Sequence, residues 1–288
     1  MNENRIACVI LNYNDFVTTK RLVEKIKNYT IFNEIIVVDN CSTDGSFEKM
    51  KTDCIDDAHI IQSDMNKGYG YGNNFGIKIA KEKFNCNLAV IANPDISFEE
   101  SLIKKLISVY QKDEKCAVVS CSQINPRTNK VGGAWKIPTY MEYTFSSLFL
   151  IRNLFKKKGE KTNKEYTVVD CVPGSMLIVD IDKFQSVGGY DERVFLYCEE
   201  TILGYKLKEN GYKTYFFQND TYFHCHAVST SKSIPSVVNR QKILYKSRLH
   251  FLKEYLCVNK MQLMVSAGVY KVALLEEYFK VLIRKIIK

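Results

Sequence analysis

Residues 35–46 are IIVVDNCSTDGS, an apolar run that ends in a carboxylate and passes into short polar residues. Four consecutive β-branched side chains favour a strand that is buried on both faces, and Asp39 comes where that strand ends. Ser42, Thr43 and Asp44 have the short oxygen-bearing side chains that cap the first turn of a helix. We therefore predict a strand, a tight connection and a helix, with a carboxylate at the carboxyl end of the strand.

The same alternation of apolar runs and helical patterns extends to both sides of this stretch. We predict strands over residues 6–11, 34–38, 59–61, 88–92 and 117–120, and helices over residues 18–28, 70–83 and 99–111. Such a rhythm is typical of an α/β protein with a mostly parallel, open sheet flanked by helices. Ligands bind at the carboxyl ends of the strands in such sheets, so we expect the polar residues that follow the strands to gather there.

The second half of the chain departs from this rhythm. Residues 125–167 are rich in polar and aromatic side chains and predict a long loop or a small subdomain. A strand over residues 176–179, a helix over 200–210 and a strand over 212–217 are predicted after it. From residue 236 the pattern is helical, basic and amphipathic, which predicts a helical C-terminal extension.

Composition and charge limit the class of protein. Of 288 residues, 46% are hydrophobic and 25% are charged, which suits a packed core and excludes general disorder. The ten cysteines form no CxxC pair, so we expect buried thiols in a reducing compartment and no zinc site. No apolar stretch has the length of a signal sequence or a membrane span, so we expect a cytoplasmic protein. The net charge of +9, concentrated toward the C terminus, favours an anionic partner.

Polar residues follow three of the predicted strands. They are Asn12 and Asn14 after the first strand, Asp39 after the second, and Asn93 with Asp95 after the fourth. Asp39 is suited to accept hydrogen bonds from a nucleobase or a ribose. Asp95 is suited to bind a hard divalent cation that bridges two phosphates, although Pro94-Asp95 is equally consistent with a plain turn.

Three further segments have two interpretations each. The glycine-rich lead into a helix at residues 66–74 either brings backbone amides close to a phosphate or sugar, or is a flexible loop. Glu199 and Glu200 open a helix, where one acid can cap while the other acts as a general base, or both can complement the helix dipole. His224 and His226 are either ligands for a metal or a diphosphate, or structural side chains.

Taken in order, these residues resemble the family-two inverting glycosyltransferases with the GT-A fold, in particular the rhamnosyltransferase-like members of bacterial surface polysaccharide assembly. The resemblance covers about residues 6–230 and rests on the ordered series of short motifs rather than on any single one. The motifs are residues 9–14, 37–46, 66–74, 93–95, 174–176, 187–192 and 199–200, and His224.

The resemblance implies a role for each matching position. Glu200 is the catalytic base. The residues that bind the donor are Asn12, Asn14, Asp39, Asn66, Gly68, Asn74 and Asn93. Asp95 binds a Mg2+ or Mn2+ ion as the second acid position of a DxD motif in which Asn93 replaces the first, and His224 assists there. The acceptor-side residues are Trp135, Gly174, Ser175, Asp191 and Glu199.

The resemblance also implies the reaction and the domain organisation. One sugar, for instance rhamnose, glucose or galactose, is transferred from a UDP- or dTDP-linked donor to a saccharide or polyprenyl-diphosphate-linked acceptor in capsule, O-antigen or exopolysaccharide synthesis. Residues 1–235 are expected to form the catalytic domain, with 1–122 binding the nucleotide sugar and 123–235 facing the acceptor. Residues 236–288 are expected to form the basic amphipathic helical extension.

The chain departs from the family pattern at two places. Many relatives have an aspartate where Glu200 stands and a further acid where this chain has Ile202. The Gln-x-x-Arg-Trp signature of processive synthases is absent, since the one tryptophan is Trp135, so we expect one sugar to be transferred per encounter.

The basic C-terminal extension and the absence of certain motifs bear on the alternative functions. The basic extension predicts peripheral attachment to the anionic inner face of the cell membrane, or else an ordinary helical hairpin packed on the domain.

A non-catalytic nucleotide- or membrane-binding module on the same fold is the alternative function, and the joint presence of Asp39, Asp95 and Glu200 argues against it. No nucleic-acid partner is expected, because basic and aromatic side chains are not interleaved on one sheet face. A nucleotide-sugar pyrophosphorylase would have a glycine-rich basic loop where this chain has residues 12–14.

Overall fold

The apolar runs of the sequence form the strands of a single sheet. The computed structural model describes residues 4–53, 57–155, 164–225 and 234–286. Within these residues the strands are β1 (Ile6–Asn12), β2 (Glu34–Asp39), β3 (His59–Gln62), β4 (Leu88–Ala92), β5 (Ile96–Ser97), β6 (Cys116–Ile124), β7 (Val131–Gly132), β8 (Thr167–Val169), β9 (Met176–Asp180) and β10 (Lys213–His224).

The direction of the strands follows the prediction of a mostly parallel, open sheet. Their order is β3-β2-β1-β4-β9-β6-β10-β5, with β7 paired to β6 and β8 paired to β10. β1 is parallel to β2 and β4, β2 to β3, and β6 to β10. Of the strands from β3 to β10 in this order, only β9 runs in the opposite direction. It is antiparallel to both of its neighbours, β4 and β6. The carboxyl ends of the others therefore meet at one edge of the sheet.

Helices cover both faces of the sheet. They are α1 (Phe16–Ile26), α2 (Ser46–Asp53), α3 (Tyr69–Glu82), α4 (Glu100–Ile107), α5 (Tyr140–Phe145), α6 (Ile181–Ser186), α7 (Glu199–Glu209), α8 (Val237–Glu254) and α9 (Lys260–Ile286), with a short 3-10 helix at Arg152–Phe155. On one face, Leu22 of α1 and Ile103 of α4 are buried in a core shared with β1. On the other face, Ile77 of α3 and Phe184 of α6 belong to a second core.

The structure extends two parts of the sequence prediction. The strand predicted over residues 212–217 continues to His224, because β10 pairs along its length with β6, β8 and β5. The segment 125–167 contains β7, β8 at its end, the 3-10 helix and α5, whose N terminus has a reciprocal cap between Thr139 and Glu142. Long-range pairing, which no local pattern reports, accounts for the added strands.

The C-terminal helices pack on the domain as a hairpin. Phe251 and Leu252 of α8 are fully buried in a cluster with Ile202 of α7. Tyr270 of α9 stacks on Tyr245 of α8, with ring centroids 4.6 Å apart. Of the helices that the structure describes, none combines the length and the apolar composition needed to cross a membrane.

Candidate active site

The first polar cluster lies where β1 and β2 end. Asp39 is fully buried, and its carboxylate accepts hydrogen bonds from Asn12 Nδ2 at 2.8 Å, the Ser42 amide at 2.9 Å and Gln62 Nε2 at 3.0 Å. Asn14 is joined to the same connection, because its Oδ1 accepts a hydrogen bond from the Thr43 amide at 2.8 Å. The structure thus brings together Asn12, Asn14 and Asp39 as the sequence predicted. Asp44 instead caps α2 by accepting from the Ser46 amide at 2.9 Å.

The glycine-rich lead into α3 is tied to this cluster. Asn40, next to Asp39, donates through Nδ2 to Asn66 Oδ1 at 3.0 Å and to the Gly68 carbonyl at 3.1 Å. Gly68 has a φ of +105°, and a Cβ there would overlap the backbone of Phe195. A larger residue at 68 would therefore push the start of α3 away from the segment that precedes α7.

A second polar cluster forms where β4 leads into β5. β5 pairs antiparallel with the end of β10, which brings Asp95 beside His224. His224 Nε2 lies 3.2 Å from Asp95 Oδ1, and the two side chains are only 10% and 6% exposed. Asp95 and His224, which are 129 residues apart in the sequence, are therefore neighbours in the folded chain. His226 lies outside the described residues.

Gln123, at the end of β6, orients the histidine. Its Oε1 accepts hydrogen bonds from Ser175 Oγ at 2.8 Å, His224 Nδ1 at 3.0 Å and Tyr222 Oη at 3.3 Å. An amide oxygen only accepts, so Nδ1 is the donor in this bond and Nε2 is the ring nitrogen that faces Asp95. Neither Gln123 nor Tyr222 was predicted from the sequence. The rule that polar residues end the strands would have found Gln123 had β6 been extended to Ile124.

The Asp95–His224 pair fits a divalent cation. Two atoms bound at right angles to a cation at ~2.1 Å lie about 3 Å apart, which matches the observed separation of Asp95 Oδ1 and His224 Nε2. Across the described part of the chain, no group of three or more His, Cys, Asp or Glu side chains converges on one point. The two side chains would therefore supply part of a coordination shell completed by phosphate oxygens and water, as is usual for Mg2+ with substrate phosphates.

The segment Gly174-Ser175 connects this cluster to the acids of α7. The Ser175 carbonyl accepts from the Asn93 amide at 2.8 Å, and the Gly174 amide hydrogen-bonds to the Glu200 carboxylate. A Cβ at position 174 would overlap that carboxylate. Tyr69, at the start of α3, donates to the Gly174 carbonyl at 2.6 Å. Two adjacent residues therefore hold Asn93 and Glu200 in a fixed relation.

Glu199 and Glu200 have different surroundings although they are neighbours. Glu199 is 2% exposed, and its Oε1 has no hydrogen-bond partner among the described residues. Burial, together with the charge of Glu200, raises the pKa of Glu199 well above its usual range. Burial also raises the pKa of Glu200, but backbone hydrogen bonds from its own amide and from Gly174 oppose that rise. The pair therefore favours a protonated Glu199 beside an ionised Glu200.

Two predicted site residues, Asn74 and Asp191, make their polar contacts with other parts of the chain. Asn74 accepts from the Tyr190 amide at 2.9 Å and donates to the Tyr190 carbonyl at 2.9 Å. The carboxylate of Asp191 accepts from Arg193, from His250 Nε2 at 2.8 Å and from Tyr255 Oη at 2.7 Å. These contacts join α3 and the loop before α7 to α8. The structure does not bring Asn74 or Asp191 into the cluster around Asp95.

Trp135 lies beside the N-terminal turn of α7. Its backbone exchanges two hydrogen bonds with Cys171, at 3.0 and 2.9 Å. Its indole Nε1 is 3.4 Å from Thr201 Oγ1, so the ring is adjacent to the residue that follows Glu200. Gly174 therefore contacts Glu200 directly, Glu199 and the Trp135 partner Thr201 are its neighbours in the chain, and Ser175 follows Gly174. Their acceptor-side role stays a prediction.

Comparison with known proteins gives relatives that match most of this chain. The family model described as Glycosyl transferase family 2 matches residues 7–185. The low-salt glycan biosynthesis hexosyltransferase Agl10 of Haloferax volcanii is 27% identical over 256 residues, which cover 88% of this chain and 75% of that protein. The N-acetylglucosaminyl-diphospho-decaprenol L-rhamnosyltransferase of Mycobacterium tuberculosis is 24% identical over 210 residues, which cover 69% of this chain and 68% of that protein.

A solved structure carries the same fold. The crystal structure of GalNAc-T7 with UDP, GalNAc and Mn2+ matches with a TM-score of 0.59 at 19% identity, covering 77% of this chain. This chain spans 44% of that protein, and the likeness confirms the GT-A fold that the sequence predicted. Since the family model matches more than half of the sequence, the chain belongs to glycosyl transferase family 2.

Proposed function

We propose that the protein transfers one sugar from a nucleotide-diphosphate donor to an acceptor hydroxyl, with inversion at the anomeric carbon. The main support for this proposal is the set of contacts made by the Gly174-Ser175 segment. One of its residues contacts Glu200, and the next is hydrogen-bonded to Asn93, two residues from Asp95. A group suited to accept a proton and a group suited to hold a cation are thus linked through two adjacent residues of one backbone.

Glu200 is the proposed general base. It is partly exposed whereas Glu199 is buried, so Glu200 is the acid that an acceptor can reach. Its carboxylate takes the proton of the acceptor hydroxyl as that oxygen forms a bond to the anomeric carbon. The bond from the anomeric carbon to the diphosphate breaks on the opposite face, so the configuration inverts and nucleoside diphosphate leaves.

Asp95 and His224 are the proposed holders of the divalent ion. When bound, the ion neutralises charge on the diphosphate leaving group. An imidazole nitrogen in the ligand set favours Mn2+ over Mg2+, which prefers oxygen ligands. Gln123 acts as a positioning residue, because it fixes the tautomer and ring orientation of His224.

The substrates are proposed from the relatives. The Haloferax protein is named a hexosyltransferase and the Mycobacterium protein a rhamnosyltransferase acting on a decaprenol-linked sugar. We propose a UDP- or dTDP-linked hexose or rhamnose as donor, bound with the help of the Asp39 cluster. A saccharide or polyprenyl-diphosphate-linked saccharide is the proposed acceptor, in polysaccharide or glycan synthesis. Transfer of one sugar per encounter follows from the absence of the processive signature.

A lipid-linked acceptor places the reaction at the inner face of the cell membrane. Leu150 and Leu154 are 85% and 80% exposed beside Arg152, and Phe149 of the same segment contacts Lys280 of α9. Exposed apolar and basic side chains together bind anionic lipid surfaces. We propose peripheral attachment through this segment and the basic C-terminal region. Vesicles with anionic lipid should pellet the protein at low salt, and Leu150→Glu with Leu154→Glu should reduce that binding; equal binding of the variant would exclude this segment.

The donor reaction is tested by nucleoside diphosphate release. Purified protein is incubated with Mn2+ or Mg2+ and a panel of UDP-, dTDP- and GDP-sugars, with and without EDTA. We expect release from one donor, loss of release in EDTA, and a loss of at least about tenfold in Asp95→Asn, because mutating even the residues that only orient metal ligands costs roughly 10–100-fold. The matched control is Asp182→Asn, whose carboxylate pairs with Lys81 on the surface.

Each negative result has a defined meaning. An Asp95→Asn variant with the wild-type rate would remove Asp95 from the metal site. If no donor releases its nucleotide and calorimetry detects no nucleotide binding, the protein is the non-catalytic module of the alternative function.

A further inference from the structure

The last helix, α9, has one face that packs on the domain. Ser266, Tyr270 and Ala273 are 0%, 3% and 1% exposed. They follow one another at intervals of four and three residues, so they lie along one stripe of the helix. Tyr270 also donates to the Tyr143 carbonyl at 3.0 Å, which ties α9 to α5. The helix is therefore held in place before any partner binds.

The opposite face is apolar and uncovered among the described residues. Met264, Tyr278 and Ile283 are exposed apolar side chains of this helix. Six further ones, Met261, Val265, Val272, Leu275, Phe279 and Leu282, are each between 38% and 69% exposed. With Gly268 included, the intervals along the chain are four, three, four, three, four and three. We call these seven positions the α9 seam.

The spacing of the α9 seam is that of a coiled coil. A strict alternation of four and three is a seven-residue repeat, which gives a line of contact for a second helix. Val265 and Val272 occupy one of the two repeating positions and Leu275 and Leu282 the other. β-branched residues at the first position with leucine at the second favour two parallel strands.

The charges beside the α9 seam complement each other in the same arrangement. In a parallel pair, the residue just before the first repeating position faces the residue five further along the other helix. Lys271 and Glu276 stand in these positions, so Lys271 of each copy meets Glu276 of the other. Both are described, and Lys271 is exposed. A second copy of this chain thus supplies both the apolar surface and the opposite charges.

We propose that two copies of the chain associate through the α9 seam as a parallel, two-stranded coiled coil. Residues 261–282 extend over about 32 Å at 1.5 Å per residue, which is three heptads. Isolated helices of this length are marginal in water, but α9 is already ordered by its inner face and avoids that cost. Gly268 leaves one position of the seam without a side chain, and nothing lies within 4 Å of a Cβ built there.

Sedimentation velocity of the full chain over a concentration series, without lipid or detergent, tests the proposal. The wild type should show a monomer–dimer equilibrium. Leu275→Glu should raise the dissociation constant at least about a hundredfold, because each of the two copies loses one buried leucine side chain. Gly268→Leu should lower it, because it fills the vacant position. Val168→Glu, at another exposed apolar side chain, is the matched control and should leave the equilibrium unchanged.

A charge exchange tests the register and the partner together. Lys271→Glu alone and Glu276→Lys alone should each weaken the dimer several-fold, because like charges then face each other. An equimolar mixture of the two variants should form heterodimers, since both cross-helix pairs are again opposite in sign. This mixture also controls for the hydrogen bond that Glu276 accepts from the Phe149 amide at 3.0 Å.

Three results would overturn the proposal. They are a wild type that stays monomeric at every concentration, a dimer that Leu275→Glu does not weaken, and variants that fail to pair in the mixture. A monomeric wild type whose binding to anionic vesicles is lost in Leu275→Glu would assign the α9 seam to lipid instead.

Discussion

At the scale of single residues, the acids at the start of α7 divide two tasks. Glu200 must be ionised to accept a proton, and burial raises its pKa. We therefore expect kcat to fall as the pH is lowered, with a midpoint above the ordinary glutamate value of about 4.3. Glu200→Gln should reduce kcat by roughly 10²–10⁴-fold, the usual contribution of a general base. A pH–rate profile of sugar transfer measures both, and a rate that is flat down to the ordinary glutamate pKa would contradict the first expectation.

The neighbouring acid affects stability rather than proton transfer. Because the pKa of Glu199 is raised in the folded state, its stabilising contribution is complete below the unfolded pKa and is lost as the pH rises toward the folded pKa. Glu199→Gln removes this titration, so the variant should be more stable than the wild type at pH 7, where the raised pKa of Glu199 opposes its ionisation. The difference should vanish in acid. Thermal unfolding at both pH values measures it, with the exposed Glu209→Gln as control.

At the scale of elements, hydrogen bonds to Asp191 join α8 to the loop before α7. Burial alone would raise the pKa of Asp191, but hydrogen bonds from Arg193, Tyr255 and His250 hold it well below its usual range. Its contribution is therefore present above the unfolded pKa of ~3.9 and is lost as the pH falls through the folded pKa.

Replacing this carboxylate should loosen the helix. Asp191→Asn should lower the free energy of unfolding at pH 7 by about 1.5–3 kcal/mol, the range for hydrogen bonds to a charged group. The variant and the wild type should converge in strong acid. Urea unfolding at pH 7 and pH 3, with Asp182→Asn as control, gives the comparison; a constant difference at both pH values would assign the loss to packing.

At the scale of the whole molecule, the C-terminal hairpin completes the core of the domain. Phe251 and Leu252 of α8 are fully buried against Ile202 of α7 and its neighbours. Deleting residues 236–288 would expose this cluster beside the helix that holds Glu200. We expect the truncated chain to aggregate or to bind a hydrophobic dye, with loss of cooperative unfolding. A soluble 1–235 fragment with wild-type cooperativity would show that the catalytic domain is independent of the hairpin.

The local parts of the fold follow from the sequence. The apolar runs at residues 35–39 and 88–92 predict β2 and β4 because a fully buried strand needs unbroken aliphatic side chains. The alternation with helical patterns predicts the parallel sheet, and the polar residue at the end of each strand then predicts an edge that collects them. Asp39 meets Asn12 in the structure as that reasoning expects, and Asp95 meets His224, which the family resemblance alone had implied.

Tertiary structure alone decides how the remaining groups act. Gln123 contacts Ser175 and His224, 52 and 101 residues away, and no local pattern records such a contact. Asn74 and Asp191 belong to motifs of the family, yet their polar atoms are bound to Tyr190 and to α8. Sequence by itself determined the periodicity, the apolar runs and the chemical type of each group, because these depend on a residue and its near neighbours. Which acid is buried, which amide orients the histidine and which face of α9 is left uncovered depend on distant segments packed together, and so only the folded chain decides them.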